Sequence, residues 1–286
     1  MILTLAFVLL CACIIYPILL VVGISFSSEN ALASDGYRLI PKEFSFEAYK
    51  YIWSSRLTIF RAYGITIFST LFGSACSVFT VALFAYPLSR KDLKYRQVFA
   101  FIALFTMLFH AGMVPWYVIC TKVLHIQNTI WALILPYIVD AWNILIMRTF
   151  FMTSIPVALI ESAKIEGAGE LKIFFRIVLP LALPGLATIG LFSVLKYWND
   201  WYLPLMLTTR TELQNLQFLL QSMISNIEML SENSQYMGGA AQQLADMPKE
   251  GARMALCVIS IGPIVLAYPF LQRYFISGLT VGAVKE

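Results

Sequence analysis

Apolar residues gather along this chain in long unbroken blocks, and those blocks set the elements. Residues 1–28, 62–89, 97–121, 177–195 and 254–272 contain no Asp, Glu, Lys or Arg, and residues 123–147 contain a single acid, Asp140. The hydrocarbon core of a bilayer takes about 20 residues of helix at about 1.5 Å rise each. Runs such as Phe68 to Pro87 are apolar on every side, whereas the strands of a membrane barrel alternate in polarity over about 10 residues. The pattern therefore predicts an all-α integral membrane protein, one transmembrane domain over residues 1–286. Its six spans are expected at about 3–25, 64–88, 97–120, 128–148, 185–207 and 254–275. Met1 to Ser28 carries no basic segment before its apolar stretch and exceeds the length of a signal-peptide core, so Leu3 to Ser25 is expected to remain as the first span.

Composition agrees and adds an orientation. Of the 286 residues 59% are apolar and 13% charged, with mean hydropathy +0.77, whereas a water-soluble domain carries about a quarter charged residues. Lys and Arg accumulate in cytoplasmic loops. The densest basic cluster, Arg90, Lys91, Lys94 and Arg96, lies between spans two and three, which places that loop and both termini inside. The five cysteines all sit in apolar blocks without metal-finger spacing, and read as small apolar side chains. Basic residues are split among loops and not gathered with aromatics, so nothing points to nucleic acid.

The connections between blocks are unequal. Residues 29–61 form an outer segment with Phe44, Phe46, Tyr49, Tyr51 and Trp53, the signature of a short interfacial helix. Residues 122–128 make a tight outer turn, and residues 208–253 a long outer excursion with Gly238-Gly239, Gln242-Gln243 and Pro248. The long inner connection, 149–184, is not a polar linker. Ser154 followed by Pro156 predicts a helix start, with Ile155, Leu159 and Ala163 on one face and Gly167 with Gly169 at the end. Leu171, Phe174, Phe175, Val178 and Leu179 then recur at helical spacing, and Pro180 and Pro184 break the pattern before span five. Such a hairpin, with an apolar stripe, either docks on a partner or lies on lipid headgroups.

Within this connection, Glu161-Ser162-Ala163, three residues, Gly167, nine residues, then Ile177-Val178-Leu179-Pro180 resembles the Glu-Ala-Ala loop of ATP-binding-cassette importer permeases. Ser162 for the middle Ala is the one departure. The resemblance extends to the carbohydrate branch, the maltose-type permeases. Glu166-Gly167-Ala168 is similar to that branch's Asp-Gly-Ala, and Trp198-Asn199-Asp200-Trp201-Tyr202-Leu203-Pro204 to its fifth-span signature. Tyr268-Pro269-Phe270, Gly278-Leu279 and Gly282-Ala283-Val284-Lys285 are similar to its C-terminus, and with Arg253-Met254-Ala255 they look most like permeases for polysaccharide fragments such as aldouronates.

The resemblance implies a type I importer permease in a bacterial cytoplasmic membrane, translocating a sugar or oligosaccharide. It implies as partners a second permease subunit in a heterodimer, a pair of ATPase subunits that bind the ATP, and an extracytoplasmic solute-binding protein, all within membrane lipid. No cofactor is implied for this chain. Residues 151–184 become a coupling loop, with Glu161, Ser162, Ala163, Gly167, Leu179 and Pro180 as the residues that engage the ATPase.

Polar residues inside the spans are the candidates for a pathway, because a charge at mid-membrane costs several kcal/mol on insertion scales and should face the bundle or a wet cavity. Asp140 and Asn143 are three residues apart and are expected to share a face. Lys196 and Asp200, at i, i+4, read as a structural ion pair. Tyr197, Asn199, Asp200 and Trp201 could surround a sugar, since aromatic faces stack on pyranose rings while amides and carboxylates bond hydroxyls. His110, near Pro115-Trp116-Tyr117, could serve either pathway or packing. The chain has no Gly-rich phosphate loop ending in Gly-Lys-Ser or Gly-Lys-Thr, so ATP hydrolysis is left to other subunits. A secondary transporter for a small polar solute is the alternative class, but it would show repeated halves and more buried ionisable groups. A membrane enzyme would need a His or Ser beside Asp140 or Asp200.

Overall fold

In a computed structural model the structure describes residues 2–233 and 248–283. Gly238-Gly239, Gln242-Gln243 and the terminal Val284-Lys285 lie outside the described residues. Among the described residues the chain is helical throughout, with β pairing limited to an isolated bridge between Ser27 and Phe44. It divides into two compact units, residues 1–62 with 216–266, and residues 63–215 with 267–286.

The first unit is built from α1 (Ile2–Ser25), α2 (Glu29–Asp35), α3 (Glu47–Ser54), the start of α4 (Arg56–Ser89), and further along the chain a helix over Leu216–Asn233 and the start of another over Lys249–Ala283. The apolar stretch of α1 is unburied, with Leu3, Phe7 and Ile14 all exposed, as suits a helix whose solvent is lipid. Ser28 caps α2 by accepting the Ala31 amide. The Glu29 carboxylate accepts the amides of Glu250 (3.1 Å) and Gly251 (3.4 Å), placing negative charge at the N-terminus of the Lys249–Ala283 helix, where the helix dipole favours it. The predicted interfacial segment thus holds two helices, and Phe44, Phe46 and Trp53 remain exposed on it.

The second unit contains most of α4, then α5 (Arg96–Leu108), α6 (Met113–Val118) continued by a π-turn over Ile119–Val123, α7 (Leu135–Ile138), α8 (Ala141–Ser154), α9 (Val157–Ile165), α10 (Glu170–Ile173), α11 (Leu179–Leu181), α12 (Leu183–Trp198) and α13 (Tyr202–Leu207). The two helices above are therefore α14 (Leu216–Asn233) and α15 (Lys249–Ala283). Among the described residues, Leu3–Ser25 and Arg56–Ser89 are by length and composition long and apolar enough to cross a bilayer, and the bent helix pairs raise the number to as many as five. The sixth predicted block falls within α15.

Three predicted spans are not single rods. Block three breaks at Phe109–Gly112 with a 111° bend, where Gly112 takes φ +89°, a conformation glycine adopts without steric cost. Block four bends by 47° at Val139 and Asp140. Block five ends its helix at Trp198, with Asn199 as the closing cap, and restarts at Tyr202. Apolarity sets where the chain is buried, but local capping sets where each helix stops. The chain turns tightly at 122–128 as expected, with His125 (φ +51°) and Asn128 (φ +57°) in the left-handed region. The Asn128 side chain accepts the Thr209 amide at 2.7 Å.

The core of this unit joins Val81, Ala85 and Tyr86 of α4 to Met147 and Phe151 of α8, and to Ile160, Ala163, Ile173, Phe174 and Val178 of the inner connection. Higher in α4, Gly73 lies under the Tyr197 ring, so that an added Cβ would meet ring carbons at 2.6 Å. Tyr197 is 2% exposed and donates its hydroxyl to the Ile134 carbonyl at 2.8 Å. Gly73→Val should therefore destabilise the protein by about 1–3 kcal/mol through overpacking, read as a lower thermal midpoint in detergent. Tyr197→Leu in the same chain should recover part of the loss. An unchanged midpoint for Gly73→Val would show that α4 and α12 do not pack this closely.

Candidate functional site: the capped hairpin and the helix breaks

The candidate coupling residues lie on a hairpin of α9 and the rod Glu170–Leu181. Ser154 is the last residue of α8 and does not cap α9, contrary to expectation. Pro156 occupies the N-cap place with φ −63° and ψ 128°, and a proline pushes its predecessor, here Ile155, to an extended backbone. α9 ends in a Schellman motif. The Gly167 amide donates to the Lys164 carbonyl at 3.0 Å, and the Ala168 amide to the Ala163 carbonyl at 2.9 Å. Gly167 has φ +80°, and a Cβ there would meet nothing within 4 Å. The requirement for glycine is thus conformational, not one of space.

The faces of α9 differ from those predicted. Ile160 (5% exposed) and Ala163 (8%) face the core, while Leu159 is 43% exposed. Ile155 lies outside the helix and cannot set its phase. Glu161 and Ser162 are exposed, together with Val157, Ile165 (87%) and, after the turn, Leu171 and Phe175. In the second rod a π-turn over Phe174–Val178 precedes α11. Pro180 has no N–H to continue the helical ladder, and a local change of hydrogen-bond pitch accommodates it. Leu179 is half-buried against the core and Pro180 is exposed. The rod then bends by 79° into α12.

Charged side chains that sequence reasoning missed tie the hairpin to the end of α4. Lys164 Nζ meets Asp92 Oδ2 at 2.9 Å and Glu170 Oε1 at 2.6 Å. Arg90 holds Asp92 through two nitrogens, and the Tyr86 hydroxyl donates to Glu170 Oε2 at 2.8 Å. Arg90 and Lys164 hold the Asp92 carboxyl well below the usual carboxylate range. Glu170 and Asp92 raise Lys164 above its ordinary value. The Asp92 contribution is thus present above its unfolded pKa near 4 and lost as pH falls through the lower folded value, while that of Lys164 is lost only as pH rises above about 10.4. Between those limits the cluster stays charged. Both acids are about half exposed and Lys164 more than a third, so the ion pairs are individually weak and the buried face does most of the anchoring.

The helix breaks gather a second group. Lys196 Nζ pairs with Asp140 Oδ2 at 2.8 Å and lies 4.6 Å from the centroid of the Tyr137 ring. The expected Lys196–Asp200 pair does not form, because α12 stops at Trp198 and the i, i+4 relation needs an unbroken helix. Asp140 is the N-cap of α8 and accepts the Asn143 amide at 3.3 Å. It therefore precedes the helix and does not share a helical face with Asn143, whose side chain is buried. Asp200, 6% exposed, accepts the Tyr137 hydroxyl (3.1 Å) and the amides of Tyr202 and Leu203 (3.2 Å each), and its carbonyl accepts Asn215. Asn199 and Trp201 are exposed at the same break, the Asn199 amide donating to the Leu195 carbonyl. Tyr137, absent from the sequence candidates, links the two acids' surroundings. His110 lies in the α5–α6 break and lines a cavity of about 600 Å³ with Trp116, Tyr137 and Tyr202.

Apolar, repeatedly bent helices carrying a capped hairpin between the fourth and fifth blocks are the architecture of a membrane component, and the family and relatives it matches make it a transport component and not an enzyme. The chain belongs to the family of binding-protein-dependent transport system inner membrane components, whose model matches residues 78–281. It is 38% identical over 281 residues to the polygalacturonan/rhamnogalacturonan transport system permease protein YtcP of Bacillus subtilis, covering 98% of this chain and 95% of that one. It is 28% identical over 291 residues to the arabinooligosaccharides transport system permease protein AraQ of the same organism, covering 99% and 95%. Among solved structures it resembles a chain of a bacterial ABC transporter involved in the import of the acidic polysaccharide alginate, with TM-score 0.82, 31% identity and coverage of 96% and 95%.

The cap geometry yields a direct test. Gly167→Val should cost about 1–2 kcal/mol from the left-handed backbone, and raise amide exchange over Ala163 to Ala168 by roughly tenfold. Gly167→Asn should stay near wild type, because asparagine tolerates that conformation. Equal exchange in the wild-type and valine forms would mean that the Schellman turn does not hold the end of α9.

Proposed function

We propose that this chain is the permease subunit through which a sugar or oligosaccharide crosses the cytoplasmic membrane, driven by ATP hydrolysis on separate subunits docked at the 151–184 hairpin. The observation that carries the proposal is the hairpin itself, whose inner face is sealed against α4 and α8 while Leu159, Glu161, Ser162 and Ile165 stand outward. An exposed ridge on a rigid support suits a partner's groove. The partners are a second permease, an ATPase dimer and an extracytoplasmic solute-binding protein. Both termini and the Arg90 to Arg96 loop face the cytoplasm, in keeping with the basic residues there. The carbohydrate substrate is supported by the transport names of the relatives, polygalacturonan/rhamnogalacturonan and arabinooligosaccharides.

Along the pathway Asn199 and Trp201 meet the solute, being the exposed members of the candidate group. Asp200, Tyr197, Asp140 and Asn143 shape the breaks that present them. In the assembled transporter in liposomes, with the solute-binding protein and its oligosaccharide, Trp201→Ala and Asn199→Ala should lower uptake about tenfold, as loss of a stacking or hydroxyl contact worth about 1–2 kcal/mol implies. Complex assembly should be unchanged. Normal uptake in both variants would remove these residues from the pathway. Absence of any oligosaccharide-stimulated ATP hydrolysis in the wild-type complex would overturn the carbohydrate assignment.

A further inference from the structure

Two adjoining cavities meet at Pro87 and Leu93. The larger, of about 540 Å³, is an apolar slot whose walls include Phe84 and Leu88 of α4, Phe99, Ile102 and Ala103 of α5, and Ile144 of α8. The smaller, of about 300 Å³, has Tyr86, Arg90, Asp92 and Glu170 in its walls. Phe84, Phe99 and Ile102 are each more than half exposed, so the slot opens sideways. One wall of it, α5, begins at Arg96, in the densest basic stretch of the chain.

The charges of that stretch are unevenly spent. Arg90 is committed to Asp92, the one acid between positions 90 and 96, and Glu170 is taken by Lys164 and Tyr86. Lys91, Lys94 and Arg96 form no ion pair among the described residues, and Arg96 Nη1 is shielded from solvent with no hydrogen-bond partner. A buried guanidinium nitrogen without an acceptor is costly. The surplus is three positive charges where α4 passes into α5, the two helices that wall the apolar slot, and Leu93 between them lines it. That combination matches a phospholipid, with an apolar chain for the slot and a negative phosphate for the bases, and basic pockets between spanning helices take anionic headgroups.

We propose that the α4–α5–α8 slot holds an acyl chain of an anionic phospholipid whose phosphate is met by Lys91, Lys94 and Arg96. The bound lipid would pack α5 against α4 beside the Asp92–Lys164 contact, and so support the hairpin from the membrane side.

The test uses the detergent-purified transporter, exchanged into phosphatidylglycerol or phosphatidylethanolamine and examined by native mass spectrometry. The wild type should retain phosphatidylglycerol in preference to phosphatidylethanolamine. The triple change Lys91→Gln, Lys94→Gln and Arg96→Gln should weaken retention by roughly a hundredfold, each basic residue near an anionic surface contributing about fivefold. The charge-preserving set Lys91→Arg, Lys94→Arg and Arg96→Lys should restore it, which separates lost charge from lost folding. Ala103→Phe, which fills the slot and leaves the charges, should also reduce retention. Equal retention of the two lipids, or undiminished phosphatidylglycerol in the triple glutamine variant, would overturn the proposal. So would an oxidant-induced disulfide between Ala103→Cys and a cysteine introduced on a helix of the second permease, since a protein segment would then occupy the slot.

Discussion

The second unit depends first on the burial of one face of the 151–184 hairpin against α4 and α8. Ile160, Ala163, Ile173, Phe174 and Val178 are each less than 10% exposed, and full burial of a large apolar side chain is worth about 1.5–3 kcal/mol. Exposed ion pairs such as Lys164–Asp92 give orientation more than strength. The Tyr86 ring lies 5.3 Å from that of Phe174 and 6.3 Å from that of Phe151, so one α4 residue touches both the hairpin and α8. A hairpin seated in this way cannot turn without disturbing the bundle. That is the mechanical requirement for passing a partner's motion to spanning helices.

A second constraint acts at the helix breaks. Each stop leaves amides without intrahelical partners, and in a bilayer such groups must be satisfied within the protein. Asp140 and Asp200 meet that need by accepting amides at the starts of α8 and α13. Lys196 and the Tyr137 hydroxyl supply further contacts to the two acids. The acids of the apolar blocks are therefore explained by capping before any solute is invoked, and the same turns leave Asn199 and Trp201 exposed.

The apolar blocks and the Glu161 to Pro180 motif were legible because each is encoded locally, one in length and hydropathy, the other in spacing. Gly167 as a helix end was legible for the same reason, since its left-handed φ is a property of one residue. The breaks within blocks three, four and five were not, because Gly112, Asp140 and Asn199 sit in stretches whose hydropathy alone supports a continuous rod. That error carried the Lys196–Asp200 pairing with it, as Asp140, a distant residue in sequence, holds Lys196 instead. Placing Leu159 on the buried face failed through phase. Counting from Ile155 assumed a helix that begins only at Val157, and the true face follows Ile160 and Ala163 at i, i+3. The Tyr86–Glu170–Lys164–Asp92 cluster joins residues too far apart for any local pattern to reveal.

The proposed docking of the hairpin's outer face on an ATPase is tested most directly by site-specific photocrosslinking in the assembled transporter. A photoreactive residue replacing Ile165, which is 87% exposed, should crosslink to the ATPase subunit, whereas one replacing the half-buried Leu179 on the inner side should crosslink only within the permease. Crosslinking of the Ile165 probe to phospholipid, with no ATPase adduct, would contradict the docking and make the hairpin a membrane-surface element.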